Sequence, residues 1–318
     1  MLMRIRLLSL EGLLGVILLQ SAVVWCRGDG AETAGAEKAR AAVGRFSGFS
    51  SPAPSKGCIL MQDDRFRQAH QVNVDIRDLK PDGMPFYEAA LHINRLYAQR
   101  HGYTFLSQEP KPGPDFDRNV VWLKLKFLRE MLECCCSWAL FMDSDSFFVM
   151  HRHSLSIEAW LTQQEMPGLS TLLGNMHHNI GAALRQGVGP VALVSRNFPA
   201  SSSIQYFCAG NLLFTRTRLS LEILDFWYDT ARLDPSSRHT FPMEQGTLNT
   251  YVMPKYSKAL WVASFEDFNS KDGNIIRHLW TPYGDAYRTK HAVKHLKSII
   301  SHFIEPGVLR SNAAHVQL

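Results

Sequence analysis

The chain has no Asn-x-Ser/Thr sequon, no run of lysine and arginine, no internal repeat and no large excess of either charge. Without a basic run it lacks the electrostatic footprint of a nucleic-acid-binding protein. A net charge of +5 over 318 residues is too mild to supply one. The missing sequon neither favours nor excludes a secretory location. His-Glu-x-x-His is also absent, so His291 and His295, although spaced like a zinc pair, read as a polar helix face. The six cysteines do not settle the redox compartment. Cys26 lies in an apolar N-terminal run, and "CCC" at 134–136 is too cramped for mutual bridges of ordinary geometry. One bridge among Cys58, Cys208 and the triplet is allowed but not deducible.

Apolar residues make up 46% of the chain and charged residues 20%, the proportions of a globular protein. Arg4 and Arg6 precede a mostly apolar stretch from Leu7 to Cys26, about the length of a bilayer-spanning helix. Arginines on that side favour a cytoplasmic N-terminus and a lumenal remainder. A cleaved signal peptide with the core "LLGVILL" is the competing reading. Residues 27–56, rich in Ala, Gly and Ser and ending in Ser-Pro-Ala-Pro, read as a flexible stalk. The expected organisation is a signal anchor over 1–26, a stalk over 27–56 and a globular domain over 57–318, the layout of a single-pass type II membrane protein.

From Gly57 the pattern alternates. "CILMQ" (58–62) has strand length, and Phe86, Ala89, Ala90, Ile93 and Tyr97 recur at helical spacing up to Gly102. "YTFLS" reads as a strand, "VWLKLKFLREMLE" as a helix and "WALFM" as a buried strand. This rhythm argues for an α/β fold with a largely parallel sheet, whose ligands bind at the carboxyl ends of the strands. Further along, "SLSIEAWL", "RLSLEILDFWYDTARL" and "MEQGTLNTYVM" read as helices, and "GVGPVALVSRN" and "FCAGNLLFTR" contain strands. "HAVKHLKSIISHFIE" reads as a helix joined to a short strand "SIISHF". Trp122 and Trp227 read as core. His177 and His178 sit in a glycine-flanked loop.

Asp143 and Asp145 follow the apolar run "WALFM", and if the backbone stays extended they share a face. Two such carboxylates repel unless a cation or proton lies between them. They bind a metal, do acid–base chemistry, or are solvated. A second pair, Asp115 and Asp117, lies in a Pro/Gly loop and reads as a solvated turn. A strand end can hold carboxylates rigidly enough for a hard cation such as Mg²⁺ or Mn²⁺. A haloacid-dehalogenase-type phosphatase also uses an apolar strand ending in Asp-x-Asp. Its later Gly-Asp-x-x-x-Asp is missing here, since "GDAYRTK" (284–290) lacks the second acid.

Six segments, in order, resemble glycosyltransferase family 34, which includes fungal α-1,6-mannosyltransferase and α-galactosyltransferase subunits and plant xyloglucan xylosyltransferases. They are "NRLYAQRHGYTF", "VVWLKLKFLREML", "WALFMDSDSFFVMHRHSLSIEAWL", "FCAGNLLFTRTRLSLEILDFW", "MEQGTLNTYV" and "IISHF", spanning about residues 87–303. The chain departs from the family in three places: Cys208 replaces an Asn, "IEPGV" follows His302–Phe303, and the loop "QDDRFRQ" is unlike the family's own. The resemblance implies a GT-A fold, a nucleotide diphosphate sugar donor, a glycan acceptor, retention of configuration and a Golgi membrane location. It also implies donor contacts from Lys124, Asp143, Ser144 and Gly210. A Mn²⁺ or Mg²⁺ ion would be held by Asp143, Asp145 and His302. Glu244 and Gln245 would open a helix beside the sugar's anomeric carbon. A non-catalytic subunit of a glycosyltransferase complex is the rival outside catalysis.

Overall fold

The structure is a computed structural model, and it describes residues 57–68, 78–164, 190–203 and 206–304. The expected anchor and stalk, and the loop holding His177 and His178, lie outside these residues. Among the described residues no helix is long and apolar enough to cross a membrane.

The strands are β1 (Cys58–Gln62), β2 (Thr104–Gln108), β3 (Trp138–Met142), β4 (Ser146–Phe148), β5 (Ala192–Arg196), β6 (Phe207–Thr215), β7 (Leu260–Ala263) and β8 (Ile276–His278). Six of them form one sheet in the order β2-β1-β3-β6-β5-β7. β1 pairs in parallel with β2 and β3, β5 in parallel with β7, and β6 runs against both of its neighbours. The result is a mainly parallel sheet. Its central strands are covered on both faces, which is why "WALFM" is apolar throughout and buried at every position.

Alternate side chains feed two cores. Ile59, Met61, Leu140 and Met142 face α1 (Phe86–His101) and the long C-terminal helix, and Cys58, Leu60, Ala139 and Phe141 face α2 (Leu123–Cys134) and a later helix. α1 ends at Gly102, whose φ of 69° is left-handed and costs glycine nothing. Between the sheet strands lie α3 (Ile157–Gln163) and α4 (Arg218–Leu233), the latter capped by Thr217, which accepts from the Ser220 N–H at 3.0 Å. α5 (Met243–Thr247) continues through a π-helical turn, Leu248–Val252, into α6 (Met253–Tyr256). α7 (Phe265–Phe268) precedes β8, and α8 (Gly284–Ile304) closes the described chain against α1. Trp122 and Trp227 are both fully buried.

Three expectations need correcting. "SIISHF" is not a strand but the last part of α8. Ala292, Leu296 and Ile299 are all buried and continue the helical spacing through it, so the apolar run serves a helix face. Asp143 and Asp145 do not lie in extended chain either, because β3 stops at Met142 and a turn follows, closed by the Ser146 N–H to the Asp143 carbonyl at 2.9 Å. The cysteine triplet does contain a bridge: Cys134 and Cys135 are joined, at a Cα separation of 3.7 Å that lies below the ordinary range. Cys136 pairs with Cys58, tying the start of β1 to the residues before β3.

Candidate active site

The acidic turn sits at the carboxyl end of β3, where the reversed strand β6 brings Gly210 alongside. The Asp143 N–H donates to the Gly210 carbonyl at 2.8 Å. A Cβ on Gly210 would lie 2.6 Å from the His278 ring and 2.8 Å from an Asp143 carboxylate oxygen, so only glycine permits this approach.

Beyond the turn, β4 leaves the main sheet and pairs antiparallel with β8, with Ser146 opposite His278. Buried Asn94 of α1 holds this ribbon by donating to the Ser146 carbonyl at 2.8 Å and accepting the Phe148 N–H at 3.1 Å. The Leu279 N–H reaches the Asp145 carbonyl at 2.9 Å. Register therefore delivers His278 to the turn, and its Nε2 lies 3.1 Å from Asp145 Oδ1.

The other ring nitrogen is spoken for. Asn269 donates its side-chain NH₂ to the Arg196 carbonyl at 3.0 Å and to Asn197 Oδ1 at 3.1 Å. That orientation leaves Asn269 Oδ1 as acceptor for His278 Nδ1–H. Nε2 is thus turned toward the carboxylates, as in metal-ligating histidines whose second nitrogen is held by an amide or carbonyl. Ligand atoms of Asp143, Asp145 and His278 all lie within 4.8 Å of one another. Two carboxylate oxygens and an imidazole could hold a divalent cation.

Electrostatics show the strain of this crowding. Burial raises the Asp143 carboxyl above its ordinary range, and Asp145 adds to the rise while Lys124 and His278 oppose it. Asp145 moves the other way: burial is outweighed by His278 and Arg288, and its carboxyl is lowered. Burial disfavours the His278 cation, but Asp145 beside it raises that pKa well above the usual histidine value.

His302 is far from the role expected of it. It lies exposed in the last turn of α8, and the imidazole beside the aspartates is His278. A signal for His278 exists in "NIIRHLW", where histidine follows two isoleucines and an arginine and precedes Pro282 and Gly284. That is the punctuation of a strand end, whereas "SIISHF" continues a helical period.

Lys124 enters from the first turn of α2, pointing inward. Its ammonium reaches Asp143 Oδ1 at 3.0 Å, Glu244 Oε1 at 3.1 Å and the Ala209 carbonyl at 3.2 Å. Burial works against its charge, yet the two carboxylates hold its pKa well above the ordinary lysine value. Glu244 is itself buried and its carbonyl accepts the Trp227 indole N–H at 2.9 Å. Gln245, half-buried, accepts the Ala209 N–H on Oε1 at 3.1 Å and bonds the Tyr206 side chain. The N–H groups of Gln245 and Gly246 both donate to the Pro242 carbonyl, so the start of α5 does not present them as orphan donors. Ser144 is buried and accepts from Arg65 at 3.0 Å. Asp115 and Asp117 are exposed, and Asp117 pairs with Arg118 and Arg238.

A family model for the galactosyl transferase GMA12/MNN10 family matches residues 73–305. Among solved structures, a glycosyltransferase involved in the glycosylation of the major capsid of PBCV-1 aligns with a TM-score of 0.50 at 17% identity, covering 74% of this chain and 98% of its own. The galactosyltransferase LgtC, solved with donor and acceptor sugar analogs, aligns with a TM-score of 0.40 at 12% identity, over 80% of this chain and 99% of LgtC. GlyE of Streptococcus pneumoniae TIGR4 aligns with a TM-score of 0.41 at 12% identity, over 80% of this chain and 64% of GlyE. None of the curated proteins matches. At these identities the structural likeness is one of fold, a GT-A architecture.

Proposed function

The chain belongs to the galactosyl transferase GMA12/MNN10 family, and from that premise we propose that it is a metal-dependent, retaining enzyme moving a hexose or pentose from a nucleotide diphosphate sugar to a glycan. Membership makes it a glycosyltransferase and sets aside the phosphatase alternative. The observation that carries the finer reading is the meeting of Asp143, Asp145 and His278 within 4.8 Å at the carboxyl end of the sheet. A divalent cation held there supplies charge neutralisation to a departing diphosphate.

The chain's own residues do the rest. Lys124 holds Asp143 in place and keeps Glu244 from competing for the cation. Asn269 fixes the ring of His278, and Gly210 keeps the approach to both open. Glu244 is committed to Lys124, which leaves Gln245, next to Gly210 through Ala209, as the member of the pair to face the sugar. There the lone pair of its amide oxygen that the Ala209 N–H does not use would stabilise developing positive charge on one face of the donor.

The Cys58–Cys136 bridge supports an oxidising compartment, in keeping with a Golgi membrane enzyme anchored by residues 7–26 with its catalytic domain lumenal. Alkaline carbonate extraction tests the anchor: the full-length chain stays in the membrane pellet, and release with an N-terminus near residue 27 means a cleaved leader.

A hydrolysis screen across UDP- and GDP-sugars, with and without Mn²⁺, tests the activity. One donor is cleaved in a Mn²⁺-dependent way; equal rates without metal, or no cleavage of any donor with or without acceptor glycans, would overturn the reading.

A further inference from the structure

Two arginines that the family resemblance does not account for reach the acidic turn from opposite parts of the chain. Arg65 follows β1 in a short 3₁₀ turn (Asp64–Gln68), within the loop "QDDRFRQ". Its Nε donates to Asp63 Oδ1 at 2.7 Å, its Nη2 reaches Asp63 Oδ2 at 2.5 Å and Ser144 Oγ at 3.0 Å, and its side chain stays 39% exposed. Arg288 comes from the second turn of α8. Its Nη1 lies 3.4 Å from Asp145 Oδ2, and Nη2 pairs with Asp285. Its buried Nε has no partner among the described residues. Both guanidiniums sit against one ring, that of Phe86, at 4.9 Å for Arg65 and 4.1 Å for Arg288.

The geometry of the two differs in a way that matters. Arg65 is locked: one edge is committed to Asp63, the plane packs on aromatics, and the remainder faces solvent beside Ser144. Arg288 is held at Nη2 by Asp285, but its Nη1 contact with Asp145 is loose, because 3.4 Å is well beyond the 2.7–2.9 Å typical of a charge-assisted bond. Neither is needed to neutralise the carboxylates once a divalent cation sits between Asp143 and Asp145. The two carboxylates already balance the charge of a divalent cation, so the negative charges of an arriving nucleotide-sugar diphosphate call for further cationic groups. Planar guanidiniums offer paired donors that match phosphate oxygens.

We propose that Arg65 and Arg288 form a two-arginine clamp that binds the diphosphate of the sugar donor beside the Asp143–Asp145 cation. Arg65 is the preorganised half. Arg288 exchanges its loose contact with Asp145 for a phosphate oxygen, so that diphosphate binding frees Asp145 for the metal. This rests on the donor being a nucleotide diphosphate sugar.

Calorimetry separates the alternatives. UDP, GDP, uridine and guanosine are titrated into wild type, Arg65→Gln and Arg288→Gln with saturating Mn²⁺, and Mn²⁺ alone is titrated into each. Each variant should lose about 10- to 100-fold in affinity for the nucleoside diphosphate, the worth of a hydrogen bond to a charged group. Nucleoside affinity should stay unchanged, and Mn²⁺ alone should bind no more weakly to Arg288→Gln than to wild type. Arg65→Lys and Arg288→Lys, which keep the charge and are the milder changes if a glutamine variant misfolds, should lose less. Equal loss of nucleoside and diphosphate would make the arginines readers of the base or ribose. Weakened Mn²⁺ binding in Arg288→Gln would make Arg288 an orienting partner of Asp145, and unchanged diphosphate binding would end the clamp altogether. Failure of wild type to bind any nucleoside diphosphate with Mn²⁺ would instead overturn the donor reading, and the clamp with it.

Discussion

Replacing Lys124 by methionine keeps the length of the side chain and deletes its charge. The ammonium it removes sits between Asp143 at 3.0 Å and Glu244 at 3.1 Å, and it also satisfies the Ala209 carbonyl at 3.2 Å. Only 8% of the Glu244 side chain is exposed, so water cannot take the lysine's place there, whereas Asp143, at 34%, can be partly rehydrated. Breaking a buried ion pair by removing one partner costs about 3–5 kcal/mol. Most of that loss falls on Glu244. For a domain of this size it corresponds to a drop in melting temperature on the order of 10 °C. Urea unfolding at pH 7 measures it directly through the transition midpoint. The double variant Lys124→Met/Glu244→Gln removes the orphaned charge and should recover much of the loss, a non-additivity that marks the contact. If Lys124 were a solvated lysine the single change would stay within about 0.5 kcal/mol of wild type. That result, or strict additivity in the double variant, would refute the buried triad.

Mn²⁺ titration in the presence of nucleoside diphosphate should show His278→Ala weakened by tenfold or more and His302→Ala indistinguishable from wild type; the reverse order would return His302 to the site. Gln245→Ala should cut turnover by orders of magnitude with nucleotide binding nearly intact, and equal loss of both would remove it from the reacting centre. Cys58→Ser/Cys136→Ser should lose about 2–5 kcal/mol in unfolding, since the bridge closes a loop with a separation of 78 residues; an unchanged midpoint would mean that the thiols are not joined in solution. Burial pushes the His92 imidazole down to about 4 and that of His153 to about 3, so between the unfolded value near 6.5 and about pH 4 the unfolded chain takes up protons that the folded chain refuses. Stability should therefore fall as pH drops from 7 to 5, by about 1–2 kcal/mol per buried histidine. His153→Gln should flatten that slope, and a slope unaffected by it would discount the group.

Much of the fold is readable from local pattern because its causes are local. "CILMQ" and "WALFM" have strand length and apolar content. Phe86 to Tyr97 repeat at helical spacing and stop at a glycine that must adopt a left-handed angle. The acidic turn falls at the end of the buried strand, where α/β sheets place ligands. That Lys124 and Gly210 lie beside the aspartates was implied by the family resemblance and by no local pattern.

The succession of elements and the motif that ends β3 are thus written in the local pattern of residues. Which distant groups complete that motif is settled by how the elements dock. His278 and His302 each lie two positions after a pair of isoleucines, and only the pairing of β8 with β4 selects the first. Arg65 lies 79 positions from Ser144 and Arg288 lies 143 from Asp145, and no period or spacing links them. The cysteine pairing and the commitment of Glu244 to Lys124 are of the same kind. Periodicity reports which side of an element is buried, because burial acts on neighbours one turn or one pleat apart. The identity of a third ligand, or of a counter-charge, depends on how separate elements dock, and it exists only once register and packing have brought their ends together.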